Sequence, residues 1–152
     1  MPMTLTALLL SLSIATVPVW AELSTDATID AMEEYLDFVD YGGATIFPEQ
    51  IPAQDWNNFF IIDARDAGQF KKEHIPGAVN IEWRQVLARR FELPKDKPIL
   101  IYCNTGTLSA QAGFALRVAG FDNLRILQGG MSEWQAKGKF EAYERVLQPP
   151  QH

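Results

Sequence analysis

Cysteine, histidine and early positive charge are what this 152-residue sequence has least of. It holds one cysteine, Cys103, and two histidines, His74 and His152. A single cysteine excludes an internal disulfide framework and the paired cysteines of a disulfide oxidoreductase. So few cysteines and histidines also leave no ligand set for a zinc or iron–sulfur site, and no metal or other cofactor is expected. No lysine or arginine occurs before Arg65. From Glu22 to Asp63 every charged residue is acidic, and the chain as a whole carries a net charge of -6. That balance argues against nucleic acid or an anionic membrane surface as the main partner. The acidic stretch reads as a solvated face, with a docking surface for a protein partner, or an acidic arm packed on the more basic remainder, as the sharper alternatives. Low-complexity tracts and internal repeats are also missing, and the length suits one domain with a real core.

The longest apolar run is Leu5 to Val17, interrupted only by Thr and Ser and followed by Pro18 and Val19-Trp20-Ala21. It is too short for a comfortable membrane span. Residues 1–21 are expected to be a signal peptide cleaved after Ala21, which makes the protein periplasmic or otherwise exported and free of the membrane after cleavage. No Lys or Arg precedes the apolar run, so an uncleaved N-terminal anchor is the alternative. In an oxidising compartment a solitary cysteine is either paired between chains or kept as a reactive thiol.

The remainder alternates short strands with short helices. Asp26 to Asp40 reads as a helix, with Ile29, Met32, Leu36 and Val39 at helical spacing, Tyr35 and Phe38 beside them and acids opposite. Strands are expected at Ala44–Phe47, Phe59–Ile62, Ala78–Ile81, Ile99–Tyr102 and Leu124–Leu127. A helical first turn is expected at Pro48–Ile51 and helices at Asp66–Lys72, Trp83–Phe91, Ser109–Val118 and around Trp134. In the helix expected at Trp83–Phe91, Val86, Leu87 and Phe91 are expected to face inward. This order predicts an α/β fold, a parallel sheet with helices on both faces. Ligands of such sheets sit beyond the carboxyl ends of the strands, where both Cys103 and Asp63 fall.

Cys103 closes the apolar run Pro98–Tyr102 and opens the short loop Asn104-Thr105-Gly106-Thr107-Leu108 ahead of the Ser109 helix. A thiol at a helix N-terminus faces free N–H groups and the positive end of the helix dipole, which favour thiolate, the nucleophilic form. A packed, inert cysteine is the competing reading.

Four motifs stand in order: Ile62-Asp63-Ala64-Arg65, His74-Ile75-Pro76-Gly77-Ala78-Val79-Asn80-Ile81, Tyr102 through Ser109, and Gly129-Gly130-Met131-Ser132-Glu133-Trp134. Together they resemble the rhodanese family of thiosulfate and persulfide sulfurtransferases, over roughly Thr45 to Lys137. The resemblance implies a rhodanese-like fold and a Cys103 persulfide, with sulfur taken from thiosulfate or another persulfide and passed to a thiol or cyanide. Backbone N–H groups of Asn104, Thr105, Gly106, Thr107, Leu108 and Ser109 would cradle the persulfide, with the Thr107 and Ser109 hydroxyls as further donors. The domain organisation expected is a signal peptide at 1–21, an acidic helical extension at 22–43, the rhodanese domain at 44–140 and a tail at 141–152.

One departure matters. Many sulfurtransferases of this family carry Arg or Lys inside the loop, whereas here no basic residue lies between Cys103 and Arg117. Dianionic thiosulfate is therefore in doubt as the natural donor, and a less charged persulfide or a protein's persulfide is the substitute. A cysteine phosphatase or arsenate reductase would need an Arg closing the loop, where this chain has Ser109. The loop is also one residue short of the version that resembles the cell-cycle phosphatases. A non-catalytic sulfur carrier or docking module of the same fold is the remaining alternative. Asp63 and Arg65 are read as supporting residues: Arg65 in an ion pair, with Glu73 the expected partner, and Asp63 ordering the loops around it. His74 is read as a hydrogen-bonded turn residue and Trp134 as a core anchor.

Overall fold

The computed structural model describes residues 19–148, with side chains from residue 26 onward. The expected signal segment, apart from residues 19–21, lies outside the described residues, as do the last four positions of the tail. Five strands form one parallel sheet: β1 (Thr45–Ile46), β2 (Phe60–Asp63), β3 (Val79–Asn80), β4 (Ile99–Tyr102) and β5 (Leu124–Leu127), in the order β1-β5-β4-β2-β3. The helices are α1 (Val19–Phe38), α2 (Ala67–Lys72), α3 (Thr107–Val118), α4 (Gly130–Ala136) and α5 (Ala142–Leu147). The last of these sits in the expected tail, where Ala142 is buried.

The central strand β4 is buried along its whole length. Successive side chains of a strand point to opposite faces. Ile99, Ile101 and Cys103 accordingly join one core with Ile62, Ala112, Leu116 and Ile126, beneath α3. Leu100 and Tyr102 join the other with Trp56, Ile75, Met131 and Trp134, beneath α4. Trp134 is the anchor expected of it, edge-on to Phe140 at 5.6 Å between ring centroids. A strand buried on both faces and paired on both edges is held rigidly, so the residue that follows it, Cys103, is well placed.

Two elements differ from expectation. Residues 83–91 form a string of turns ending in a short 3-10 helix at Arg90–Glu92, and no α-helix. Of the three residues expected to face inward only Val86 is buried, with Trp83 partly buried against the same core; Leu87 is exposed and Phe91 almost fully so. A helix this short depends on burying a continuous face, and one buried residue does not supply it. The Trp83 N–H is moreover bound to the Ala64 carbonyl, which keeps the start of the segment against the sheet. The first helix also starts earlier than expected, and its packed side is Ala31 and Tyr35, continued by Val39 just past its end, while Ile29, Met32 and Leu36 lie outward. Tyr35 meets Phe114 of α3 edge-on at 5.0 Å.

Candidate active site

The chain leaves β4 at Tyr102 and enters α3 at Thr107, and the intervening turn wraps the Cys103 sulfur. Gly106 has φ of 102°, a left-handed conformation open to glycine at little cost. It turns the Gly106 N–H onto Cys103 Sγ at 3.2 Å. The Ser109 hydroxyl lies 3.6 Å from the same sulfur and 3.0 Å from the Gly106 carbonyl, either of which can accept its single proton. Cys103 is only 2% exposed. Burial alone would push its thiol up. The Ser109 amide and hydroxyl, together with the Thr105 and Gly106 amides, outweigh that and bring it below the ordinary cysteine value. Hydrogen bonds and the α3 N-terminus thus favour the thiolate form of this sulfur, and among the described residues no cation is bonded to it.

The loop rests on a second turn. The Met131 N–H donates to the Cys103 carbonyl at 2.8 Å and the Ser132 N–H to the Asn104 carbonyl at 3.0 Å, so α4 uses its free N-terminal amides to hold the loop. Gly130 makes that approach possible: a Cβ there would stand 2.4 Å from the Cys103 carbonyl oxygen. On the outer side Asn104 Nδ2 donates to Gln69 Oε1 at 2.8 Å, and Gln69 belongs to α2, capped by Asp66.

Beneath the loop lies a buried polar cluster. Arg65 grips Asp63 with two nitrogens, Nε to Oδ1 at 2.9 Å and Nη2 to Oδ2 at 2.6 Å. The hydrogen bond to Asp63 is the main reason its guanidinium is held more firmly protonated than usual, with burial opposing. The Tyr102 hydroxyl donates to Asp63 Oδ2 at 2.7 Å and accepts the Ile75 N–H at 3.0 Å. Burial is the first cause of its raised pKa, so the phenol stays neutral and keeps donating. Asn80 Nδ2 donates to the carbonyls of Asp63 and Arg65 at 3.0 and 2.8 Å. The cluster ties the ends of β2, β3 and β4 and the turn at Ile75 into one unit.

Arg65 is therefore in an ion pair, but its partner corrects the expectation: Asp63 rather than Glu73. Glu73 contributes its backbone carbonyl, 2.7 Å from Arg65 Nη2, while its carboxylate meets Gln135 and Lys139. Residues two apart on an extended chain share a side, which favours the Asp63 chelate. His74 is the turn residue expected, its Nδ1 2.8 Å from the Phe70 carbonyl and its ring stacked on Phe70. Tyr102 and Gly130 stand in the quoted motifs but are given no role by them, and Gln69 is a site residue outside those motifs. A tyrosine one residue before the cysteine and a Gly-Gly pair after the next strand were the available signals.

Asn104, Thr105, Thr107 and Leu108 are exposed at the mouth, and none is charged. Arg117 and Arg125 both donate to the Leu124 carbonyl, at the amino end of β5 and so at the opposite end of the strands from Cys103. The mouth has hydroxyl, amide and N–H donors but no fixed positive charge among these residues.

Residues 47–137 match the rhodanese-like domain family. An uncharacterized Bacillus subtilis protein, YqhL, is 37% identical over 79 residues, covering 52% of this chain and 63% of that one. A probable adenylyltransferase/sulfurtransferase of Mycobacterium tuberculosis, MoeZ, is 35% identical over 98 residues, covering 60% of this chain and 24% of that one. The thiosulfate sulfurtransferase GlpE of Pseudomonas savastanoi is 30% identical over 89 residues, covering 59% and 84%. The chain thus spans less than two thirds of the first two relatives. Among solved structures, a rhodanese-related protein of Thermoplasma volcanium superposes with a TM-score of 0.58 at 22% identity, covering 62% of this chain and 93% of that one, a likeness of fold.

Proposed function

This chain belongs to the rhodanese-like domain family, and on that premise we propose that it is a sulfurtransferase that carries sulfane sulfur as a persulfide on Cys103. The observation that carries the reading is the Cys103 sulfur itself, buried, yet given thiolate character by the Gly106 N–H and the Ser109 amide and hydroxyl. Relatives named as sulfurtransferases support the same class of chemistry.

The thiolate attacks the outer sulfur of the donor. A new S–S bond forms at Cys103, and the donor's own bond to that sulfur breaks. Its electron pair leaves with sulfite if the donor is thiosulfate, or with a thiolate if the donor is a persulfide. The terminal sulfur of the Cys103 persulfide then lies where the loop N–H groups converge. A thiolate or cyanide acceptor attacks that terminal sulfur and carries it off, and Cys103 leaves as thiolate. No proton need move in either half, so no general base is required. The uncharged mouth favours a donor of low charge over dianionic thiosulfate. The natural donor we propose is a persulfide, small or protein-borne, and the acceptor a thiol. Residues 1–21 are proposed to direct export and to be removed after Ala21, which N-terminal sequencing of the purified protein would check.

The test is intact mass after incubation with thiosulfate, or with cysteamine persulfide, beside a Cys103→Ser control. A gain of one sulfur atom, reversed by cyanide and absent from the control, is expected from both donors and faster from the persulfide. No gain from either, in folded protein with a titratable thiol, overturns the reading and leaves a docking module.

A further inference from the structure

We propose that the outward apolar stripe of α1 is a docking site for a basic amphipathic helix of a partner protein. At about 100° per residue, Ala31 and Tyr35, with Val39 just past the helix end, share one side of α1, and Ile29, Met32 and Leu36 fill the arc next to it. The first set is partly buried against the body of the molecule, with Tyr35 on Phe114. The second is open: Ile29 is 48%, Met32 38% and Leu36 65% exposed. The apolar side of α1 is thus wider than the surface that α3 covers. Single exposed apolar residues are ordinary, whereas a contiguous stripe rimmed by polar residues marks an interaction surface.

The rim decides the occupant. Asp26, Asp30, Glu33 and Asp37 follow the stripe round the helix, with Glu34 beyond them, and all are exposed. Among the described residues no cation lies within ion-pair distance of these carboxylates. A second copy laid on the stripe would set one all-acidic rim against another. An anionic membrane would be repelled in the same way. The chain's own residues 1–18 contain no charged side chain and would leave the rim unmatched. A helix with an apolar stripe flanked by Lys or Arg answers both features, laying side chains at three- and four-residue spacing against Ile29, Met32 and Leu36. The α1 contact reaches α3 at Phe114 and Arg117, well along the helix from Cys103, so the site is a tether and leaves the catalytic mouth free.

The probe is a fluorescein-labelled leucine–lysine peptide of about 18 residues, five helical turns, patterned as an amphipathic helix. Its scrambled isomer carries the same charge without the stripe. Anisotropy with the full chain at physiological salt should show the patterned peptide binding about tenfold or more tighter than the isomer. Met32→Ser with Leu36→Ser, which leaves the charge untouched, should abolish that preference. Glu33→Gln with Asp37→Asn should weaken both peptides. These side chains are exposed, so a thermal melt is expected to stay put in each variant. Equal binding of the two peptides overturns the proposal, because charge alone then accounts for it. So does a preference that survives the serine pair, or no binding at all, as expected if a second copy or residues 1–18 cover the stripe. None of these readouts depends on sulfur chemistry.

Discussion

The hydrogen bonds around Cys103 lower its pKa against the effect of burial, and this makes Ser109 the residue to perturb. Its hydroxyl lies within reach of the sulfur and of the Gly106 carbonyl, and it has one proton to give. The proton is worth more on a thiolate than on a carbonyl, because a charged acceptor roughly doubles the strength of the bond. Ser109→Ala keeps the backbone amide and removes only the hydroxyl. Alkylation by iodoacetamide follows the thiolate, so in the wild type its rate should rise with pH and level off at a lower pH than for an ordinary thiol. In Ser109→Ala the whole profile should move to higher pH, with the rate near neutrality about fivefold lower, the loss of one modest hydrogen bond to a charged group. An unmoved profile would assign the lowered pKa to the amides alone. The sign for stability follows from the same shift. Folded Cys103 ionises more readily than the unfolded thiol, so it adds stability above the unfolded pKa, and this is lost as pH falls through the folded one.

At the scale of elements, the site is the meeting of three strand ends, one loop and the start of α4. The loop cannot sit where it does without Gly130, whose absent Cβ leaves room for the Cys103 carbonyl. Gly130 also has φ of 57°. Gly130→Ala should lower the unfolding free energy by about 1–3 kcal/mol, as overpacking does, and slow persulfide formation because the loop must lift off α4. Gly43→Ala, also at positive φ but with open space around it, is the control that should lose stability without losing activity. The Asp63 cluster behaves differently. Asp63→Ala strands the buried Arg65 guanidinium and should cost about 3–5 kcal/mol in urea unfolding, whereas Tyr102→Phe, which leaves the ion pair, should cost about 1–3. If the two variants cost the same, Asp63 and Arg65 do not act as a pair.

These elements also show what could be read from the sequence. The strands were legible because runs such as Phe60–Asp63 and Ile99–Tyr102 are buried on both faces, and burial of that kind leaves a local signature. The cysteine loop was legible because a thiol, small residues and a helix follow one another directly. Residues 83–91 misled because a run such as Val86-Leu87-Ala88-Arg89-Arg90 has helical propensity, while the tie from Trp83 to Ala64 is a long-range contact. Arg65 was assigned the wrong carboxylate because charge suggests any acid nearby, and only the extended backbone selects Asp63. The Tyr102 phenol was hidden by its place in an apolar run; what gives it a role is the Asp63 carboxylate, 39 residues away in sequence.

Over the whole molecule, net charge opposes the most familiar donor. The chain carries -6, and the described mouth residues Asn104, Thr105, Thr107 and Leu108 hold no positive charge to offset it. A dianion approaching such a molecule is repelled at long range, and salt screens that repulsion over a Debye length of about 10 Å at 0.1 M. In the wild type, kcat/KM for thiosulfate should therefore rise with added potassium chloride, the reverse of an electrostatically steered enzyme. Cysteamine persulfide, with no net charge, should show almost no salt dependence. Leu108 is 36% exposed on the first turn of α3, beside the mouth. Leu108→Arg puts a cation there without touching the sulfur's own hydrogen bonds. It should raise kcat/KM for thiosulfate about tenfold at low salt, chiefly through KM, and reverse the sign of the salt effect. The persulfide reaction should change little. If the wild type already handles thiosulfate with a falling salt profile, some cation outside these residues captures the donor, and the preference proposed for a low-charge persulfide is wrong.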